Sequence, residues 1–533
     1  MWERYAGTLP LLVAAPTSPV LVFMGRSVQW MLDGLAASCL SLLVLAPLFG
    51  VVLPWPAVLA FVPLMALVCL STYMTATFFG SLALRLTDAR NLIGVTMSTS
   101  LMLFCGVNVA VSSLPQWAAA VSNMSSSGPE GGAQFGMGDG MTAIGRDVTT
   151  EAIVERARSL APTISERALE GEQARRVPDD VFRQMREGGL LRLFVPKVLG
   201  GLEVDPFTMI EVIETISRAD GSTGWVAMIL NGTFMTAWVE PTAAKQMAAS
   251  VDGDVVLSGM FSPMGRATAD ADGFRVTGRW PFISGSSHAN WTLGGTLIMD
   301  GSNPVMRPDG QPDWRFMMFP MTDTVVHDTW RAAGLKATAS HDLSVDNVYV
   351  PEELTPRPLF DVPRHDGPLW RFSFFGLLGC CMVGVPLGIA RRALDEAVPL
   401  SQTKSRNGGR STMAEDGAVQ LDLIRAETAL RAARSLVFEA IGTAWEHALA
   451  GNPMSTDDRL AVRLASFHAA EVGLRVVETC FRIGGGGALY EHSPLQRCWR
   501  DLHAASHHLF FGDQSLQDIA RVHLGLEADT LTM

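Results

Sequence analysis

Three histidines stand within six positions, His503, His507 and His508, just after the run Trp499-Arg500-Asp501. Imidazole is the side chain whose ordinary titration falls near neutral pH, so a histidine here suits taking or lending a proton. His503 and His507 share one helix face, which is also the spacing of a metal pair. No carboxylate-plus-histidine pattern elsewhere completes a ligand set, so metal is not expected. For His508 alone, satisfying a buried carbonyl is the competing role. Upstream, Ser284 lies in Gly278-Arg279-Trp280-Pro281-Phe282-Ile283-Ser284-Gly285, where its hydroxyl can either hold a ligand or serve a turn. Residues 484–487 are all glycine but lack the preceding strand and spacing of a phosphate-binding fingerprint, and read as a helix-breaking turn. Cys380-Cys381, on an apolar stretch, read as packing. Seven cysteines with no C-x-x-C pair give neither a disulfide framework nor a zinc site, as in a reducing compartment.

These residues sit in blocks of different texture. Residues 148–250 carry apolar positions at helical spacing, with Thr149 or Thr150 as a cap before an amphipathic stretch at 152–160. From 251 to 360 the pattern turns to strands, at 255–257, 274–277, 291–298, 315–321 and 343–350, separated by Asp-Gly, Pro-Asp-Gly and Gly-Ser turns. Residues 361–533 return to helix, with long runs at 421–450 and 460–483. Helix, strand and helix in that order predict an α+β architecture, two helical domains flanking a β domain.

Charge divides the chain again. With 41 Lys+Arg against 53 Asp+Glu, a net charge of -12 and no long basic run, nucleic acid is not expected as a partner. Charged residues make up 18% of the chain, against about 25% in ordinary soluble proteins, and the dilution is local. Residues 1–140 hold only Arg4, Arg26, Arg85 and Arg90 against Glu3, Asp33, Asp88, Glu130 and Asp139. No charge occurs from 34 to 84, room for two spanning helices of about 20 residues, with a turn at Leu53-Pro54-Trp55-Pro56. A third uncharged run reaches 114, so residues 34–114 predict about three transmembrane helices and a membrane location if this part is expressed. The arginines predict a cytoplasmic side. Three spans would then leave the rest of the chain across the membrane, although the catalytic part is expected in the cytoplasm. A Ser/Gly-rich linker, 125–147, follows, and Met141 within it reads as an independent start. Glu3-Arg4-Tyr5-Ala6-Gly7-Thr8-Leu9, Ala15-Pro16-Thr17-Ser18 and Gly25-Arg26 resemble the cytoplasmic elbow of ABC-2 type transporter permeases, over about residues 1–124. The other spans of that family are missing and no Walker motif is present, so the resemblance implies a fragment.

The remainder carries a second resemblance. The Gly278 to Gly285 run is followed by Gly334-Leu335-Lys336-Ala337-Thr338-Ala339-Ser340-His341-Asp342 and Val348-Tyr349-Val350-Pro351. Leu489-Tyr490, Pro494-Leu495-Gln496-Arg497 and Trp499-Arg500-Asp501 come next. In order and separation these resemble the acyl-CoA dehydrogenase superfamily, over all of 141–533. That implies an N-terminal helical domain (148–250), a middle β domain (251–360) and a C-terminal four-helix bundle (361–533). It also implies a homotetramer through the C-terminal helices, with 484–487 near a neighbour's flavin.

The resemblance separates two chemistries. A dehydrogenase needs a carboxylate to take the α-proton of an acyl-CoA thioester. At the family's Tyr and Glu positions stand His508 and Leu509, and the alternative place for the base, between Asp366 and Asp395, holds no carboxylate. Residues 499–508 instead resemble the reduced-flavin-dependent monooxygenases of the same fold. That implies the oxygenase component of a two-component system, taking FMNH2 or FADH2 from a separate NAD(P)H-flavin reductase. The absence of a dinucleotide fingerprint agrees with an external reductase. With O2 such an oxygenase forms a C4a-hydroperoxide and hydroxylates a small, aromatic substrate in a dry pocket. His508 would take the substrate's phenolic proton or assist the peroxide, and Ser284 would face flavin N5. Phe261, Ser262, Phe282 and Ser284 would contact the flavin. The family's further histidine, after Ala219-Asp220-Gly221-Ser222, has no counterpart in 225–231, where Asn231 is the nearest polar group. The competing functions are an acyl-CoA dehydrogenase-like flavoenzyme with a displaced base, and a membrane transport subunit with an incidental C-terminal part.

Overall fold

The computed structural model describes residues 148–251, 254–405 and 411–528. The permease-like fragment 1–124, its spans at 34–114 and the linker 125–147 lie outside them. The described residues belong to the second of two units of the chain, Met141–Met533.

Five helices come first: α1 (Val148–Ala174), α2 (Asp179–Glu187), α3 (Pro206–Ala219), α4 (Gly221–Leu230) and α5 (Pro241–Ala249). Helix α1 is already running at Val148, which puts Thr149 and Thr150 inside its first turn rather than at its cap. Asp205 starts α3, its Oδ1 accepting from the Phe207 and Thr208 N–H groups at 2.9 and 3.0 Å, with Pro206 pre-set for the first turn. Asp220 ends α3 and caps α4 through the Thr223 N–H. That sharp junction aims α4, and with it Trp225, at the β domain.

The sheet contains β1 (Leu257–Asp270), β2 (Gly273–Ile283), β3 (Trp291–Asp300), β4 (Asn303–Pro304), β5 (Trp314–Pro320), β6 (Val325–His327) and β7 (His341–Pro351). Its order is β4-β3-β1-β2-β7-β6, with β5 also on β3. β1 and β3 are parallel and the other pairs antiparallel. The first strand is far longer than the run at 255–257 that marks it. Gly259, Pro263 and Gly265 break its apolar alternation, and they fall where the register against β3 shifts between Met260 and Gly265. The bulge presses on β3. A Cβ on Gly295 would fall 2.0 Å from the Phe261 carbonyl oxygen, so only glycine permits that approach.

Helices α6 (Phe374–Met382), α7 (Gly384–Thr403), α8 (Gly417–Leu449), α9 (Thr456–Gly484), α10 (Pro494–Ser506) and α11 (Asp513–His523) complete the fold. α7 packs between α3 and α9, and α8 lies along α9. Among the described residues, Phe374–Thr403 is the helical stretch long and apolar enough to cross a membrane, and here it is buried in the core. Burying each large side chain of such a stretch contributes about 1.5–3 kcal/mol. Cys380 and Cys381 are part of that packing.

Candidate active site

Ser284 is the first residue beyond β2, on a turn that the backbone does not adopt cheaply. Phe282, just before it, has φ 61°, and two more non-glycine residues facing this turn, Leu335 and Ala339, have φ 50° and 47°. Each costs about 1–3 kcal/mol and persists only where the surroundings hold it. The holding bonds are Gly285 N–H to Thr338 O (2.8 Å) and Ser286 Oγ to Ala339 O (2.6 Å), which lock the 284–286 turn to the 335–340 loop.

Within that lock the buried hydroxyls form a chain. Trp225 Nε1 donates to Ser284 Oγ at 3.1 Å, Ser284 Oγ lies 2.8 Å from Ser340 Oγ, and Ser340 Oγ lies 2.6 Å from Thr338 Oγ1. Thr338 Oγ1 donates to the Leu335 carbonyl at 2.8 Å. The same Trp225 ring stands edge-on to His508, with centroids 5.5 Å apart. One indole therefore joins Ser284 on the β domain to His508 on the C-terminal helices.

His508 is the cap of the 3-10 turn Leu509–Phe511, its Nδ1 accepting from the Phe510 N–H at 3.1 Å. A nitrogen that accepts carries no proton, so the neutral ring bears its hydrogen on Nε2. Burial, and then the positive charge of Arg463, push its pKa down to about 4. Arg463 lies 3.7 Å from the Phe510 ring centre. Sequence reasoning expected an imidazole titrating near neutrality. The geometry instead makes one that is neutral throughout the neutral range and presents an N–H.

Phe282 is 60% exposed and meets Trp330 edge-on at 6.3 Å, while Trp330 Nε1 donates to Leu335 O at 3.0 Å. Phe261 packs on Phe316 and Phe374, and Ser262 is exposed on the β1 bulge. Thus His508 and Ser284 each meet Trp225, Phe282 joins them through Trp330 and Leu335, and Phe261 and Ser262 belong to the neighbouring bulge. An isoalloxazine needs an apolar surface to lie on and a polar group near N5. Exposed Phe282 beside Trp330, next to a hydroxyl oxygen with a lone pair to spare, fits it.

Other candidates resolve into structural roles. Asn231 accepts from Leu193 N–H and donates to Leu190 O and Ala227 O, so its amide is spent on backbone. His503 packs on Trp499, and His507 is exposed. Among the described residues no group of three or more His, Cys, Asp or Glu could hold a metal. Residues 485–489 form a 3-10 turn beside Lys404, whose Nζ donates to Gly484 O at 2.6 Å. Ser284, Trp225 and His508 are partnered by one another, Ser340 and Phe510, with no carboxylate among these partners.

Sequence reasoning passed over Trp225, Thr338 and Ser340. The available signal was two hydroxyls spaced two apart in a segment already singled out. It also left the Arg500-Asp501 pair without a task. Leu335 N–H donates to Asp501 Oδ1 (2.6 Å), Arg500 Nη1 to Ala333 O (2.6 Å), and Arg500 Nη2 to Glu172 on α1 (2.7 Å). A Cβ on Gly334 would fall 2.0 Å from Arg500 O, so loop and helix touch at backbone distance. The pair clamps the loop that carries the hydroxyl chain.

Comparison with known proteins gives the family. Residues 148–247 and 380–512 match the family models described as acyl-CoA dehydrogenase, N-terminal domain, and acyl-CoA dehydrogenase, C-terminal domain. The chain is 34% identical to indole-3-acetate monooxygenase of Pseudomonas putida over 376 residues, 70% of this chain and 93% of that protein. It is 29% identical to the flavin-dependent monooxygenase oxygenase subunit HsaA of Rhodococcus jostii over 368 residues, 67% of this chain and 93% of that one. The solved structure of XiaF from Streptomyces sp., in complex with FADH2 and glycerol, superposes with a TM-score of 0.65 at 25% identity, covering 72% of this chain and 97% of XiaF.

Proposed function

The chain belongs to the acyl-CoA dehydrogenase superfamily, in its branch of flavin-dependent monooxygenases, and on that premise we propose that it hydroxylates a small aromatic substrate held between Ser284 and His508. It is an oxygenase component that works with reduced flavin and O2, which implies a separate flavin reductase. Bound reduced flavin supplies the two electrons that activate O2, so that one oxygen atom enters the substrate and the other leaves as water.

The chain's own residues do the rest. Ser284 would hold the ring through a hydrogen bond at N5. Phe282 and Trp330 give the ring an apolar surface and keep water off it. His508 donates from Nε2 to the oxygen or to the substrate's hydroxyl, because its Nδ1 is taken by the Phe510 N–H. It acts as a fixed donor rather than as the base that takes a phenolic proton. The observation that carries this reading is Trp225, whose indole N–H binds the Ser284 hydroxyl and whose ring edge touches the His508 imidazole.

Several further features belong to the same reading. Leu421, Ile424 and Leu436 on α8 and Leu464 on α9 leave apolar surface exposed, which suits a homotetramer built on the C-terminal helices. If residues 1–140 are expressed, the spans at 34–114 of the permease-like fragment 1–124 would attach the enzyme to the membrane; a catalytic part in the cytoplasm then needs a number of spans other than three.

The test mixes full-length protein holding reduced FMN or FAD with 18O2-saturated buffer, with indole-3-acetate or a simple phenol as probe. Label in a hydroxylated product, with a delayed return of oxidised-flavin absorbance, is the expected result. Immediate reoxidation without product, together with bleaching of bound oxidised flavin by an acyl-CoA, would return the chain to the dehydrogenases.

A further inference from the structure

We propose that Ser284, Ser340 and Thr338 form a one-way hydroxyl chain that makes the flavin site prefer reduced over oxidised flavin. The inference rests on the reading above that Ser284 faces flavin N5.

Each hydroxyl has one proton to give. The chain begins at an obligate donor, Trp225 Nε1, and ends at an obligate acceptor, the Leu335 carbonyl. Thr338 spends its proton on Leu335 O, so the short contact to Ser340 needs the Ser340 proton. The contact between Ser340 and Ser284 then needs the Ser284 proton. Every bond is satisfied in this one direction. Ser284 is left with its proton turned away from the flavin and one lone pair turned towards it. Reduced flavin carries a hydrogen on N5 and can donate to that lone pair. Oxidised flavin has a bare N5 that must accept, and it would meet lone pair against lone pair.

Accommodating oxidised flavin needs the Ser284 proton at N5, which breaks its bond to Ser340 unless all three hydroxyls turn together, Thr338 to Ser340, Ser340 to Ser284, and Ser284 to N5. Either way the loss is one buried hydrogen bond, that of Ser284 to Ser340 or, when all three turn, that of Thr338 Oγ1 to Leu335 O. The carbonyl keeps the Trp330 Nε1 and Thr338 N–H donors at 3.0 and 3.2 Å. A single net hydrogen bond corresponds to a preference of about three- to tenfold. The four side chains are all buried, so water cannot substitute for the missing partner. The consequence suits an enzyme fed by a separate reductase: spent, oxidised flavin is released in exchange for reduced flavin.

The experiment measures dissociation constants of oxidised flavin by fluorescence and of reduced flavin anaerobically, on the full chain. In Ser340→Ala the Ser284 proton is free to face N5, and in Thr338→Val the chain loses its outlet while keeping its shape. Both variants should lower the ratio Kd(oxidised)/Kd(reduced) by about three- to tenfold. The potential of bound flavin should fall with it, about 30 mV for a full tenfold. A variant that merely loosened the fold would weaken both forms together and leave the ratio alone, and either variant suffices if the other does not fold. An unchanged ratio in the folded variants, with Ser284→Ala weakening flavin binding, overturns the one-way chain but keeps Ser284 at the flavin. Flavin affinities untouched by Ser284→Ala overturn its placement at N5 as well.

Discussion

Replacing His508 by alanine lowers formation of hydroxylated product by about a hundred- to a thousandfold, the range for losing one fixed donor at a reacting oxygen, while bound reduced flavin goes on consuming O2. The missing electrons emerge as hydrogen peroxide. The reason lies in the order of the bonds. The Phe510 N–H fixes Nδ1 and so commits Nε2 to donation, and the Trp225 edge holds the ring plane. Neither contact depends on substrate, so the donor is in place before the reaction begins. His508→Gln carries an amide N–H to about the reach of Nε2 and should recover part of the rate, whereas a base could not be rescued by an amide. The pH profile tests the protonation state. Burial and Arg463 lower the pKa of this histidine to about 4, so its neutral form is complete from about pH 5 upward. Product formation should then be level in the His508-dependent step from about pH 6 to 8. A rate that climbed through the ordinary histidine range, near 6.5, would show that the imidazole titrates there and overturn its being neutral throughout.

The residues with chemistry were legible because their neighbours carry pattern. Residues 499–508 and 278–285 mark His508 and Ser284 through their resemblance to the family's segments, and the residues alone left a capping or turn role open for each. The behaviour of His508 was not legible, because its tautomer is set by a backbone N–H two residues on and its charge by Arg463 on another helix. Neither a tautomer nor a cross-helix charge leaves a mark in local sequence. Trp225 was legible only as an apolar residue of a buried helix, although its indole N–H is what joins the two halves of the site. The extent of the first strand was missed for a related reason. Along β1 a Cβ on Gly259 would strike Leu293 and one on Gly265 would strike Trp280, so close packing rather than strand periodicity sets these residues. Long-range contact decides these features, while helix and strand periodicity report only which face is buried.

The second large effect is expected at Asp501, where charge and fold meet. Three buried acids, Glu172, Asp220 and Asp501, share their surroundings with two guanidinium groups, those of Arg497 and Arg500. Burial, and then the negative charge of Asp220, push Asp501 up to about 7, and burial raises Asp220 as well. Asp501 Oδ2 and Asp220 Oδ1 are the two carboxylate oxygens of the cluster that make no hydrogen bond, though Arg497 Nε lies 3.6 Å from the latter. One proton held by the pair makes the cluster neutral. Between about pH 4 and 7 the folded chain then binds more protons here than the unfolded chain does, so this group's contribution to stability declines as pH rises through that window. Asp501→Asn keeps an oxygen for the Leu335 N–H and removes the charge. It should match the wild type near pH 4 and melt higher than it above pH 7. Asp501→Ala removes the acceptor too and leaves that N–H buried and unpaired, at a cost of about 1–3 kcal/mol at every pH. Leu335 also carries the carbonyl that ends the hydroxyl chain, so the alanine variant should reduce the flavin preference while the asparagine variant keeps it. Melting curves from about pH 4 to 8 decide the matter: if asparagine is as damaging as alanine at neutral pH, the cluster needs the charge and does not hold the proton.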